Sequence, residues 1–156
     1  MKQKVRAVAL FMLVIGVSTV GAPIQGQQAP EYQAIADRFF SLLQQGKSAE
    51  AIDYAFGTNP RLKTMGDQVD QLKSQFQSLE QIMGRYISSS KLAESKVAGM
   101  FVYQHYFVAY ERQPISVRLK FYKPANVWMV YAVQFDANLT DTIEKQTDEN
   151  LYSQFK

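Results

Sequence analysis

The sequence contains no cysteine, and this absence excludes two kinds of structure at once. Without thiols the chain can form neither a disulfide framework nor a thiolate metal site. It has a single histidine, His105, so a metal site built from several imidazoles is excluded as well. Glycine-rich phosphate loops, a GxSxG elbow and an HExxH helix are also missing. The sequence therefore predicts no metal and no cofactor, and it offers little from which to build a hydrolase.

A long apolar run without charge lies near the N-terminus. Residues 7–20 form this 14-residue run, and three basic residues precede it. A membrane span needs about 20 apolar residues, so the run is short for a span and fits a secretory signal. We expect residues 1–22 to be a signal peptide and the protein to be periplasmic or secreted. An uncleaved N-terminal anchor is the alternative, and it also places the domain outside the cytoplasm.

The mature chain has no surplus of basic residues. Three of the 17 basic residues lie in the N-terminal segment, and the remaining 14 equal the 14 acidic residues in number. A nucleic-acid-binding domain usually carries a basic footprint, so we expect no nucleic-acid partner. The apolar content of 47% is typical of a globular protein, and the length suits one domain with a real core.

The N-terminal half carries the periodicity of helices. After a polar spacer at residues 23–30, apolar residues recur at helical spacing, and glycines stand where helices should end. The pattern predicts helices at residues 31–46, 48–57 and 67–84, with Ser48 as the N-cap of the second.

The C-terminal half changes to β-branched and aromatic residues. Strands are predicted at residues 100–110, 115–122 and 127–136, with a weaker strand or pair of strands at 85–98. Short loops join the three strong strands into an antiparallel meander. The predicted fold class is α+β, with three N-terminal helices packed on a curved antiparallel sheet. The domain spans residues 31–137, and residues 138–156 form a polar tail.

Loop length predicts which strand residues face the helices. A four-residue loop at 123–126 pairs Phe121 with Trp128 and Leu119 with Val130, because directly opposed residues share a face. A four-residue loop at 111–114 adds four residues of the preceding strand to this face: Gln104, Tyr106, Val108 and Tyr110. The helix-facing set contains no acidic residue.

The last strand is apolar on both faces, so the face turned away from the helices needs a cover. A broad exposed apolar area usually marks an interface. We expect a homodimer or an envelope protein partner to cover this face. The predicted interface residues are Phe107, Arg118, Met129, Tyr131, Val133 and Phe135. The alternative is that the C-terminal tail folds back over them.

The order of elements resembles a known family. The segments AIADRFFSLLQQGKSAEAIDYAF and ISVRLKFYKPANVWMVYAVQFD resemble the nuclear transport factor 2-like (NTF2-like) superfamily, which includes ketosteroid isomerase. The resemblance covers about residues 31–137, and small exported bacterial members of unknown function are the most similar in character. It implies an α+β cone (cystatin/NTF2-like) that often dimerises through the outer sheet face. The family includes isomerases, dehydratases and proteins without known activity, so the fold does not give the function.

Polar residues among the helix-facing side chains are candidates for ligand binding. An apolar cavity with a few polar groups can hold a small molecule. The predicted ligand-binding residues are Gln104, Tyr106, Tyr110, Trp128 and Gln134. The alternative is plain core packing with satisfied hydroxyl groups.

Catalytic candidates are few. Asp37 could act as a base if it faced into the cone and burial raised its pKa, but its neighbours favour a solvated position. His105 is predicted on the outer face as an ordinary strand residue. The sequence therefore favours an exported non-enzymatic domain that binds a small apolar ligand or a protein partner. The alternative is a cone-type isomerase or dehydratase that uses an Asp or a Tyr.

Overall fold

The computed structural model describes residues 31–64 and 66–154, so the predicted signal peptide and spacer lie outside the described residues. The helices are α1 (Tyr32–Gln44), α2 (Ser48–Gly57), α3 (Gly66–Met83) and α4 (Leu139–Ser153), with a short 3₁₀ helix at Pro60–Thr64. The strands are β1 (Tyr86–Val97), β2 (Phe101–Tyr110), β3 (Pro114–Tyr122) and β4 (Met129–Asp136). The predicted α+β class is confirmed, with the addition of a C-terminal helix.

Glycines end the first and third helices, as the sequence predicts. Gly46 and Gly84 have φ angles of +70° and +81°, in the left-handed region that glycine adopts without strain. A Cβ on Gly84 would lie 2.9 Å from the Cβ of Glu111, so the backbone there must pass close to the β2–β3 connection. The prediction for Ser48 is wrong, because Lys47 occupies the N-cap position and Ser48 is the buried first residue of α2.

The four strands form one antiparallel sheet in the order β1-β2-β3-β4, which confirms the predicted meander. β1 is a single 12-residue strand. Between β2 and β3, Val108 pairs with Ile115 and Tyr106 pairs with Val117. The observed pairing is shifted by two residues from the predicted one. Because side chains alternate with a period of two, this shift leaves each β2 residue on its predicted side of the sheet.

The predicted register between β3 and β4 is wrong. Phe121 pairs with Val130, but Lys120 pairs with Ala132, so Tyr131 is an extra residue on β4. A bulge of one residue reverses the faces of everything beyond it. Val133 and Phe135 therefore lie on the helix-facing side, opposite Leu119 and Val117, rather than on the outer face.

One hydrophobic core lies between α1–α3 and the sheet. We call the sheet side that contributes to it the inner face, and the opposite side the outer face. The core includes Phe39 of α1, Ile52 of α2 and Phe76 of α3, each at most 1% exposed. Phe135 joins it through an edge-on contact with Phe76, at 5.2 Å between ring centroids. The reversed end of β4 is thus held by packing against α3.

The segment expected to be a polar tail contains helix α4. α4 has 15 residues and contacts β3. Leu139 is buried outside the core cluster, and every described residue after it is exposed. Within residues 31–64 and 66–154, no helix has the length and apolar character needed to cross a membrane.

Candidate functional site

A polar cluster with a buried centre lies on the inner face beneath α1, and that centre is Gln104. Gln104 is fully buried, and its Nε2 donates hydrogen bonds to Gln33 Oε1 (2.9 Å) and Glu94 Oε2 (2.8 Å). The Tyr106 hydroxyl donates to Gln104 Oε1 at 3.0 Å. Lys91 Nζ lies 2.6 Å from Glu94 Oε2, so the cluster contains an ion pair. Each polar group of the Gln104 amide thereby has a partner inside the protein.

The cluster fixes the protonation of Glu94. Hydrogen bonds from Lys91 and Gln104 lower the pKa of this carboxyl from 4.5 to about 2, and Lys96 contributes at 3.2 Å. Burial raises the pKa of the Tyr106 hydroxyl, so that group stays protonated at neutral pH. Near neutral pH Glu94 is therefore charged and Tyr106 is neutral. Neither group changes its protonation there, so the hydrogen bonds between them and Gln104 persist.

Four of the five predicted ligand-binding residues belong to the packed core. Tyr106 lies 4.5 Å from the ring of Phe40, and Trp128 lies 5.1 Å from the ring of Tyr32. Tyr110 is only 4% exposed. These contacts favour the packing alternative, while the ligand-binding role itself stays a prediction. Sequence reasoning missed the long-range partners Gln33, Lys91 and Glu94, since nothing local in the chain indicates them.

Gln134 is the predicted ligand-binding residue that the structure places elsewhere. It is exposed and pairs with Arg118 on the outer face. The cause is the bulge at Tyr131, which turns Gln134 outward as it turns Val133 and Phe135 inward. Of the six predicted interface residues, Val133 and Phe135 are thus on the inner face, and this expectation is corrected.

The other four predicted interface residues, namely Phe107, Arg118, Met129 and Tyr131, lie on the outer face. Phe107 and Met129 are half-buried, and Tyr131 is 58% exposed. Tyr131 reaches across the sheet to Phe101, at 6.3 Å between ring centroids. The outer face therefore presents an aromatic surface that α1–α3, on the opposite side of the sheet, do not cover.

The outer face also carries cations. Arg118 and Lys120 are neighbours along β3, and Arg118 Nη2 lies 3.8 Å from Asp136 Oδ2. His105 pairs with Arg118 on the neighbouring strand. Burial and the charge of Arg118 lower the pKa of His105, so the imidazole is neutral at neutral pH. The predicted position of His105 on the outer face is confirmed.

Asp37 lies on the solvated side of α1. It is exposed, and its Oδ1 accepts a hydrogen bond from Gln33 Nε2 at 2.8 Å. It does not face the core, and its position agrees with the solvated one that its sequence neighbours favour. Within the described part of the chain, no group of three or more histidine or carboxylate side chains is close enough to hold a metal ion.

No protein-family model matches the chain, and no curated protein matches it. Among solved structures, it is similar to a crystal structure from Campylobacter jejuni named "Putative NTF2-like transpeptidase". The sequence identity is 15% and the TM-score is 0.49, over 65% of this chain and 97% of that chain.

Proposed function

We propose that the chain is an exported, non-enzymatic binding domain that associates with a second copy of itself through the outer face. The observation that carries this proposal is α4, a helix of 15 residues with a single buried side chain. An isolated helix of about 12–15 residues is marginal in water, because helices in proteins depend mainly on packing of an apolar face. α4 therefore needs a surface that its own protomer does not supply.

The chemistry of α4 defines the surface that would suit it. Ile143, Leu151 and Tyr152 are 48%, 47% and 66% exposed, so the helix displays apolar groups without a cover. It also carries four acidic residues against one lysine: Asp141, Glu144, Asp148, Glu149 and Lys145. A complementary surface would be apolar and cationic.

The outer face has these two properties. Its aromatic residues Phe101, Tyr103 and Phe107 are half-buried along β2, and Arg118 and Lys120 lie beside them on β3. Complementary charges fix the register of an interface as well as attracting the partner. α4 already contacts β3, the strand that carries Arg118 and Lys120.

A symmetric dimer satisfies both surfaces at once. In an isologous pair the same two patches meet twice, so α4 of each copy would cover the outer face of the other. The proposal of export rests on residues 1–22, which have the pattern of a secretory signal. A purely binding role is supported by the packed inner face and by the exposed position of Asp37.

The test is sedimentation equilibrium of the mature protein and of Tyr131→Glu. We expect the wild type to dimerise and the variant to be monomeric, because a carboxylate at the bulge would lie opposite the acidic α4. Thermal unfolding of the variant should show an intact fold, since Tyr131 is 58% exposed.

Ile82→Glu is the matched control. Ile82 is 64% exposed on α3, which packs on the opposite side of the sheet, so this variant should dimerise like the wild type. A wild type that is monomeric at all concentrations would overturn the proposal. Dimerisation of Tyr131→Glu with unchanged affinity would move the interface away from the outer face.

A further inference from the structure

Glu80, in the last turns of α3, has a buried carboxyl oxygen without a partner. Oε1 of Glu80 is inaccessible to solvent and forms no hydrogen bond within the described residues. Ser48, at the start of α2, is a polar neighbour of this carboxyl. Burial raises the pKa of Glu80 above its usual value. A buried carboxylate oxygen without a donor is costly, so the site lacks a group that its chemistry requires.

A second buried polar atom without a partner in the described part of the chain belongs to Tyr110 of β2. The Tyr110 hydroxyl is buried and also has no hydrogen-bond partner within the described residues. Tyr86 meets Tyr110 edge-on, at 6.0 Å between ring centroids. Burial, and after it the negative charge of Glu80, raises the pKa of Tyr110, so its hydroxyl stays protonated. Tyr86 lines a cleft together with Glu80, so this pair of rings borders the same site.

Two open clefts meet at Glu80. One has a volume of about 640 Å³ and is walled by Leu43, Tyr86 and Ile87. The other, of about 670 Å³, lies against the start of α2, and both clefts share Gly46 and Glu80. The carboxyl is therefore next to space that a small molecule can enter.

The other charges around the clefts neutralise one another. Arg85 Nη2 lies 2.7 Å from Glu111 Oε1, and Lys47 Nζ lies 3.2 Å from Glu50 Oε2. Among the charged residues that line the clefts, only Glu80 has no oppositely charged partner within the described residues. The site as a whole thus has an uncompensated negative charge at its base.

We propose that the clefts at Glu80 bind a primary ammonium group carried on a short alkyl chain. The ammonium donates to the Glu80 carboxylate where this side chain lines the clefts. The alkyl chain lies against Leu43 and Ile87, and the face of Tyr86 adds a cation–π contact. A free alkylamine and the side chain of a peptide lysine share this chemistry. The site is separate from the outer face and is independent of dimerisation.

The test uses two probes that share the ammonium group, n-butylamine and the blocked peptide acetyl-Gly-Lys-Gly-amide. Binding is followed by the amide chemical shifts of Gly46 and Gly84 in the intact mature protein. We expect saturable shifts with at least one probe, and which probe binds more tightly identifies the source of the ammonium. n-Butanol has nearly the same shape without the charge, so it should bind about tenfold more weakly or worse.

The variant that tests the carboxyl is Glu80→Gln, with Glu50→Gln as the matched control in the adjoining cleft. Glu80→Gln should weaken ammonium binding about tenfold or more and leave thermal stability unchanged or improved, because it removes a buried charge. Glu50→Gln should bind like the wild type. The wild-type affinity should fall as acid protonates Glu80. No saturable shift with either probe, equal binding of butanol, or unchanged binding in Glu80→Gln would overturn the proposal.

Discussion

Gln104 shows how one buried amide can organise several distant residues. It is fully buried, and its partners Gln33 and Glu94 come from α1 and β1. A buried polar group that loses its partner costs more than the hydrogen bond itself contributes, because the group cannot recover its contacts with water. We therefore expect the network to fix the position of α1 on the sheet more than to increase total stability.

Replacing Gln104 by leucine should destabilise the protein by about 1–3 kcal/mol. The substitution nearly preserves volume, but it leaves the Tyr106 hydroxyl without its acceptor and removes a donor from Glu94. The measurement is the free energy of unfolding from urea denaturation. Gln71→Leu on the exposed side of α3 is the control and should change stability little. Equal effects of the two substitutions would mean that the network is not required.

The ion pair of Glu94 predicts a loss of stability in acid. Its pKa in the folded protein is about 2, below the value of 4.5 for a free carboxyl, so the folded state favours the charged form. This contribution is complete above about pH 4.5 and is lost as the pH falls towards 2. Glu94→Gln should cost about 1–2 kcal/mol at pH 7, and its stability should fall less steeply between pH 4.5 and 2.

The control for this pH dependence is Glu31→Gln, since the Glu31 side chain makes no capping hydrogen bond. Its unfolding free energy should follow the wild-type curve across the same pH range. If Glu94→Gln followed the wild-type curve as well, the acid sensitivity would come from other carboxyl groups.

At the level of elements, the bulge in β4 decides which residues reach the core. Thr58 and Asn59, just after α2, hold the strand at this point. The Val130 amide donates to Thr58 Oγ1 at 2.9 Å, and Asn59 Nδ2 donates to the Val130 carbonyl at 3.0 Å. The edge of β4 next to the bulge is thus tied to the helical layer rather than left open.

Asn59→Ala should destabilise the protein by about 1–2 kcal/mol, because Asn59 is buried and the Val130 carbonyl would lose its donor. Hydrogen exchange at the amides of β4 should become faster than in the wild type. Thr58→Ser keeps the hydroxyl that accepts from Val130 and should remain close to the wild type. Unchanged exchange in Asn59→Ala would show that packing alone holds the bulge.

Helical spacing and the glycines predict α1 to α3 and their ends, because these signals are local. Runs of β-branched and aromatic residues joined by short loops predict β2 to β4 for the same reason. The bulge at Tyr131 has no local signal, since β4 is apolar on both faces and either register buries apolar residues. Glu94 accepts hydrogen bonds from Gln104, ten positions away across a hairpin, and from the Tyr32 hydroxyl of α1. Such contacts are set by the tertiary fold rather than by spacing.

For the whole molecule, the two surfaces that lack a cover are complementary. α4 is acidic with exposed apolar groups, and the outer face is aromatic with two neighbouring cations. The sequence predicts the outer face as an interface, but it does not indicate α4, whose polar composition resembles that of a loop. The pairing of these two surfaces could be recognised only once the helix and the sheet were placed.

The most direct measurement is photo-crosslinking from position 151, with benzoylphenylalanine in place of Leu151. An equal mixture of ¹⁵N-labelled and unlabelled protein is irradiated, and the crosslinked peptides are identified by mass spectrometry. A dimer in which α4 covers the outer face should give mixed-label adducts that join α4 of one copy to β2, β3 or β4 of another. Adducts found only within one chain, or only on α1 to α3 of another copy, would contradict it.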